Sequence, residues 1–145
     1  MLFFRAHGFE PEVVPGITSS LAAPLAGGIP VLMRGVADRV VICTGMGRGG
    51  ARVALPAFCA HQTLVLLMSV GRLRDISRLQ LIQELGYPAD LPVAIVERGT
   101  TPRQRVVRGT LGGIADVAAL HGVRSPATIV VGAAADALLP SPAGT

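Results

Sequence analysis

Residues 91–111 read LPVAIVERGTTPRQRVVRGTL and hold two strand signals around one turn. Residues 93–96 are an unbroken apolar run, as suits a strand covered on both faces. Arg98-Gly99-Thr100-Thr101-Pro102 interrupts it with Gly and Pro, which set turn dihedrals. Residues 104–110 then alternate enough for a half-exposed strand.

The same grammar extends outward. Residues 40–44 (VVICT) and 63–68 (TLVLLM) predict two more buried strands. Residues 75–85 predict an amphipathic helix: Ile76, Leu79, Ile82 and Leu85 recur at three-residue steps, Arg78 and Glu84 lie off that face, and Gly86 ends it. Toward the start, residues 2–7 read as the end of a helix halted at Gly8. Residues 12–14 read as a short strand stopped at Pro15-Gly16. Thr18 or Ser19 caps a small-residue helix reaching Leu25, ended by Gly27, Gly28 and Pro30. Downstream, residues 114–120 predict a helix closed at Gly122, and residues 127–131 a last strand ended by Gly132. Apolar runs alternating with helical patterns define an α/β domain. Residues 139–145, rich in Pro, Ser and Gly, read as a flexible tail.

Composition narrows the function classes. The 145 residues are half apolar, only 15% charged, and positive in mean hydropathy, which argues against disorder. No apolar run approaches the roughly 20 residues a membrane helix needs. The start, Met1-Leu2-Phe3-Phe4 followed by Arg5, lacks the layout of a signal peptide, so the expectation is a cytoplasmic chain without a membrane span. The net charge is +4, and all thirteen basic residues are arginine. A GC-rich genome explains that bias blandly. A carboxylate- or phosphate-rich ligand explains it chemically, since the planar guanidinium grips either with two parallel hydrogen bonds. One Tyr, no Trp and no basic run argue against nucleic acid.

Cys43 and Cys59 form no close pair and read as buried thiols. His7, His61 and His121 are scattered, so no metal site is assigned. Asp90 and Glu97 read as structural or solvated carboxylates rather than as an acid–base pair. The loop Gly45-Met46-Gly47-Arg48-Gly49-Gly50 lacks the endings of phosphate-binding motifs and reads as a surface connection. In Pro15-Gly16-Ile17-Thr18-Ser19-Ser20, a strand end, a sharp turn and a hydroxyl-rich helix start gather free N–H groups and hydroxyls. A polar ligand site and ordinary N-capping both fit those residues.

Five segments, in this order and spacing, resemble the tetrapyrrole methylases: EVVPGITSSLAAPLAGGIPV (12–31), DRVVICTG (38–45), QTLVLLM (62–68), LPVAIVERGTTPRQRVVRGTL (91–111) and ATIVVG (127–132). Within that family they are most similar to the uroporphyrinogen-III C-methyltransferases, in a fungal flavour. The resemblance implies the carboxyl-terminal domain of the methylase fold, a mixed sheet of about five strands flanked by helices. It implies S-adenosyl-L-methionine as cofactor and uroporphyrinogen III, a polycarboxylate tetrapyrrole, as substrate. It also implies a homodimer in full-length members. Carried over residue by residue, it assigns cofactor contacts to Thr18, Ser19, Met68, Ala94 and Gly99. A wall for the substrate's carboxylates is expected among Arg34, Arg48, Arg98, Arg103 and Arg105, with Arg52 beside Arg48 on the glycine-rich loop.

Some positions depart from the family pattern. Leu67 stands where the family has the tyrosine of a Tyr-Met pair. Leu32-Met33-Arg34 stands where it has Thr-His-Arg, so only the arginine survives. The family's opening Gly-Pro-Gly-type loop, its Gly-Gly-Asp motif and its acid–base residues are not found in this sequence. The expected organisation is therefore a remnant of a first domain over residues 1–14, the carboxyl-terminal methylase domain over 15–138, and the tail over 139–145. Little activity is expected from these residues alone. A precorrin-type methylase, a non-catalytic tetrapyrrole- or cofactor-binding remnant, and an unrelated binding module on the same fold are the alternative readings.

Overall fold

The computed structural model describes residues 1–140. Its centre is one five-stranded mixed sheet: β1 (Arg39–Thr44), β2 (Gln62–Leu67), β3 (Pro92–Glu97), β4 (Arg105–Thr110) and β5 (Ala127–Val131). Their spatial order is β1-β2-β5-β3-β4. β1 and β2 are parallel, and the other neighbours are antiparallel. The α/β class read from the sequence holds, and so do the mixed sheet and the five strands that the resemblance implies. The inner strands β2, β5 and β3 carry the apolar runs 64–67, 129–131 and 93–96, as burial of both faces requires. The edge strands β1 and β4 are only partly buried.

Two layers cover the sheet. On one face Leu64, Leu66, Ile95 and Ile129 pack against Ile76 and Leu81 and against Ile114 and Ala118 of α3 (Ile114–Leu120). On the other, Ala94, Val96 and Val130 pack against Ile29 and against Ala23 of α2 (Ser19–Ala26). Alanines at this second contact bring α2 close to the strands. α1 (Leu2–Ala6) buries no residue.

Two elements differ from the sequence reading. Residues 12–14 form no strand; Val13 and Val14 are 65% and 81% exposed. An isolated extended segment gains no ladder bonds, and this one pairs with neither sheet edge. The helix expected over 75–85 is a π-helix, Asp75–Glu84, closed by a bond from the Leu85 N–H to the Gln80 carbonyl. Its wider turn shifts the buried face to Ile76, Ser77, Gln80 and Leu81, and leaves Leu79 exposed. The tail read over 139–145 lies outside the described residues from 141 onward. Among the described residues, no helix is long and apolar enough to cross a membrane.

Gly132, which follows β5, combines a φ of 132° with a backbone N–H that donates to the Pro92 carbonyl. A Cβ there would lie 2.8 Å from the Gln62 carbonyl oxygen. We expect Gly132→Ala to destabilise the fold by about 1–3 kcal/mol, the range for overpacked interiors, in urea unfolding followed by circular dichroism. An unchanged midpoint contradicts the close approach.

Residues 13–33 carry no charge, and Val14, Ile17, Leu21 and Leu25 are all exposed. Leu21 and Leu25 lie four residues apart on the outer face of α2, and Val14 and Ile17 precede the helix. Contiguous exposed apolar surface of this kind drives association. Sedimentation velocity is expected to find this chain self-associated, and Leu21→Glu with Leu25→Glu to shift it toward monomer. A wild-type monomer at high concentration counts against this.

Candidate functional site: a cleft at the carboxyl edge of the sheet

β5 runs antiparallel between β2 and β3, so its amino end meets the carboxyl ends of both. The start of α2 crosses the same edge. Together they enclose a cleft of about 760 Å³, lined by Leu67 and Met68 at the end of β2, by Val96, residues 98–101 and Arg103 around the end of β3, by residues 125–128 at β5, and by Ile17, Ser19, Ala22 and Ala23. Clefts outside the carboxyl ends of strands are where open α/β sheets bind ligands.

The backbone of the cleft is strained. The non-glycine residues of the described chain with left-handed φ are Met68 (54°), Arg98 (50°) and Thr100 (66°), and all three line it. Each such residue costs about 1–3 kcal/mol and persists only where its surroundings fix it. The bonds that fix the turn are in place. The Arg98 N–H donates to the Pro126 carbonyl at 3.0 Å. The Thr101 hydroxyl donates to the Arg98 carbonyl at 2.8 Å, and the Thr100 N–H to Gln104 Oε1 at 2.6 Å. The Gln104 amide in turn donates to the Ala26 carbonyl at 2.9 Å, tying the turn to the end of α2. At β2 the Gly45 N–H and the buried Ser69 hydroxyl both donate to the Leu67 carbonyl, just before Met68.

The structure sorts the residues singled out in the sequence. Ser19, Met68 and Gly99 line the cleft, as do Arg98 and Arg103. Gly99 sits against α2: a Cβ there would lie 3.1 Å from that of Ala23. Thr18 does not line it. Thr18 caps α2, its hydroxyl accepting from the Ser20 N–H and pairing with the Ser20 hydroxyl at 2.8 Å. The capping reading of that stretch therefore holds for Thr18, while Ser19 turns toward the cleft. Ala94 is fully buried inside β3, two residues short of the cleft-lining Val96.

The remaining arginines lie elsewhere. Arg34 is exposed on the turn closed by Met33 and Ala37, and Arg48 is exposed on the 3₁₀ turn Arg48–Gly50. Arg52 pairs with Glu84. Arg105 is committed to structure: its Nε donates to Glu97, and its terminal nitrogens donate to the His121 carbonyl (2.8 Å) and the Gly122 carbonyl (3.1 Å). Sequence reasoning missed the contribution of residues 125–128. The Ser-Pro pair before an apolar strand marks a turn there, but nothing local connects it to Arg98.

Glu97 is 3% exposed, and both its oxygens are engaged, one by Arg105 and the other by the Arg124 N–H at 3.3 Å. The Arg105 guanidinium, foremost, holds its carboxyl below the usual glutamate range, against the opposing push of burial. Among the described residues no group of three or more His, Cys, Asp or Glu is placed to hold a metal.

This architecture belongs to a known class. Residues 1–115 match the profile of the tetrapyrrole (corrin/porphyrin) methylases, and the chain is a member of that family. It is 43% identical over 137 residues to the uroporphyrinogen-III C-methyltransferase of Saccharomyces cerevisiae, covering 94% of this chain and 23% of that protein. It is 38% identical over 135 residues to the enzyme of the same name from Methanocaldococcus jannaschii, covering 91% of this chain and 55% of the relative. The crystal structure of the uroporphyrin-III C-methyltransferase from Thermus thermophilus complexed with S-adenosylhomocysteine superposes with a TM-score of 0.81 at 36% identity, over 99% of this chain and 60% of that one. The chain thus spans about a quarter of the yeast protein and somewhat over half of the other two.

The depressed pKa of Glu97 fixes the sign of a pH effect. A carboxylate held below its unfolded value stabilises the fold fully above the unfolded pKa of about 4.3, and that contribution disappears as pH falls through the folded value. Wild type is therefore expected to melt above Glu97→Gln at neutral pH, with the gap closing below about pH 4. A gap that stays constant down to pH 3 contradicts the pairing.

Proposed function

We propose that these residues supply one side of an S-adenosyl-L-methionine cleft in an enzyme that C-methylates uroporphyrinogen III. The observation that carries this reading is the convergence of Ser19, Met68 and Gly99 on one strained cleft. The lining suits the cofactor. Ile17, Ala22 and Pro126 offer apolar surface for an adenosyl group. The Met68 thioether is a polarizable contact, and Gly99 leaves its backbone open to a hydrogen-bonding base edge. Ser19 adds a hydroxyl, and the buried Thr128 hydroxyl donates to the Ser19 carbonyl and holds it at the cleft. When bound, the cofactor supplies a methyl group activated on a sulfonium. Thr18 and Ala94 act indirectly, Thr18 by fixing the helix that presents Ser19 and Ala94 by seating that helix on the sheet.

Arg98 and Arg103 are the arginines of this cleft, and we assign the substrate's carboxylates to them. Arg34 and Arg48 stay candidates only for parts of the macrocycle that reach beyond it. Catalysis requires both reactants held in line. Ile17 and Met68 at the cleft are 92% and 65% exposed, so the cleft is open to solvent on one side, and we expect these 145 residues alone to turn over slowly. A homodimer through the apolar face of α2 is part of the reading. A cytoplasmic setting is supported by two free cysteines. A precorrin-type methylase is the second reading, favoured by a likeness to a cobalt-precorrin-4 methyltransferase at a TM-score of 0.77 and 26% identity.

Isothermal titration of the purified chain with S-adenosylhomocysteine tests the cofactor assignment; measurable binding that Gly99→Val abolishes is the expected outcome, and no heat in the wild type refutes it. For the substrate, Arg98→Glu and Arg103→Glu are each expected to weaken uroporphyrinogen III binding about tenfold, the value of one charge-assisted hydrogen bond. Affinity unchanged at low salt in both variants removes the arginine assignment.

A further inference from the structure

We propose that Glu97 is the positioning residue of the cleft: buried behind its lining, the carboxylate locks the turn after β3 and the segment before β5 into one arrangement. The proposal rests on reading the cleft as the ligand site.

Glu97 ends β3 and is paired in register with Arg105 of β4 on one side and Ala127 of β5 on the other. One carboxylate oxygen accepts from Arg105 Nε and the other from the Arg124 N–H. The residues that follow each contact are the ones that line the cleft: Arg98, Gly99 and Thr100 after Glu97, Ser125 and Pro126 after Arg124. The Arg98 N–H closes the circuit on the Pro126 carbonyl at 3.0 Å. Arg105 anchors it to a rigid element, donating to the His121 and Gly122 carbonyls at the end of α3. The clamp therefore joins β3, β4, the end of α3 and the approach to β5 at one carboxylate.

Two features go beyond ordinary ion pairing. Glu97 is 3% exposed, whereas the side chains of other paired acids, such as Glu84 and Asp116, are about half exposed. Burying a charge contributes little net stability, and its best-attested use is to specify one arrangement among several. The arrangement specified here includes the left-handed Arg98 and Thr100, which need surroundings that over-determine them. Removing the charge leaves Arg105 without its carboxylate and frees both cleft segments together.

Hydrogen exchange of the unliganded chain, followed by titration with S-adenosylhomocysteine, tests this in Glu97→Gln. Asp116→Asn is the control; it breaks exposed pairs with Arg74 and Arg78 on the α3 side of the sheet. In Glu97→Gln, the amides of residues 98–101, 124, 125 and 127 are expected to exchange about tenfold faster and S-adenosylhomocysteine to bind about tenfold more weakly, the value of one lost hydrogen bond to a charged group. β2 and the π-helix keep wild-type exchange, and Asp116→Asn leaves both segments and the affinity unchanged. Should Glu97→Gln fail to fold, Arg105→Lys keeps the charge but loses the reach to His121 and Gly122, and is expected to loosen residues 122–127 alone. Exchange that is unaltered at both segments, or faster throughout the sheet, overturns the proposal. Local loosening in a protein whose wild type binds no S-adenosylhomocysteine upholds the clamp and refutes the cofactor reading instead.

Discussion

β5 enters the sheet antiparallel between β2 and β3, and the position of every cleft segment depends on that pairing. β2 and β3 share one direction, so their carboxyl ends emerge side by side with β5 between them. Met68 and the Arg98–Thr101 turn are thereby brought to one edge, and the approach to β5 is laid between them. The pairing is held by Leu64, Val65, Leu66, Val93, Ile95, Ile129 and Val130, all 1% exposed or less. Each such side chain contributes on the order of 1.5–3 kcal/mol by burial. The polar edge of the sheet is therefore built on its most apolar interior.

The cleft stores backbone strain that this interior offsets. Left-handed Met68, Arg98 and Thr100 each cost free energy locally. They are held by bonds to groups remote in sequence: Arg98 to Pro126, Thr100 to Gln104, and Gln104 to Ala26. Glu97 and Arg105 hold the same region from the buried side. Polar satisfaction and strain thus meet at the same few residues, which is the pattern expected where a fold is shaped for a ligand rather than for stability alone.

The strands were legible because burial on both faces writes an apolar run, as in residues 64–67, 93–96 and 129–131. Strand order was not legible, because nothing within β5 says that it passes between β2 and β3. The π-helix escaped for a local reason: Ile76, Leu79, Ile82 and Leu85 fit a helical face, and only tertiary packing chooses the wider turn that exposes Leu79. Residues 12–14 resembled a strand by composition but have no partner to bond. At the site, Ser19, Met68 and Gly99 came from the ordered family motifs, whereas Thr18 and Ala94 lie one step behind the lining. The arginines are chemically identical in sequence. Topology alone separates Arg98 and Arg103 in the cleft from Arg105 in the clamp and from the exposed Arg34 and Arg48. The role of Glu97 was invisible because its partners are a strand neighbour and a backbone N–H 27 residues away.

One strained cleft at the carboxyl edge of the sheet is the proposed ligand site of this chain. Backbone amide chemical-shift mapping with S-adenosylhomocysteine addresses it most directly. Perturbations are expected to concentrate on residues 17–23, 67–69, 96–101 and 124–128, with β1 and the π-helix unaffected. Perturbations centred on the glycine-rich loop at residues 45–50, or spread without focus over the exposed face of α2, would contradict it.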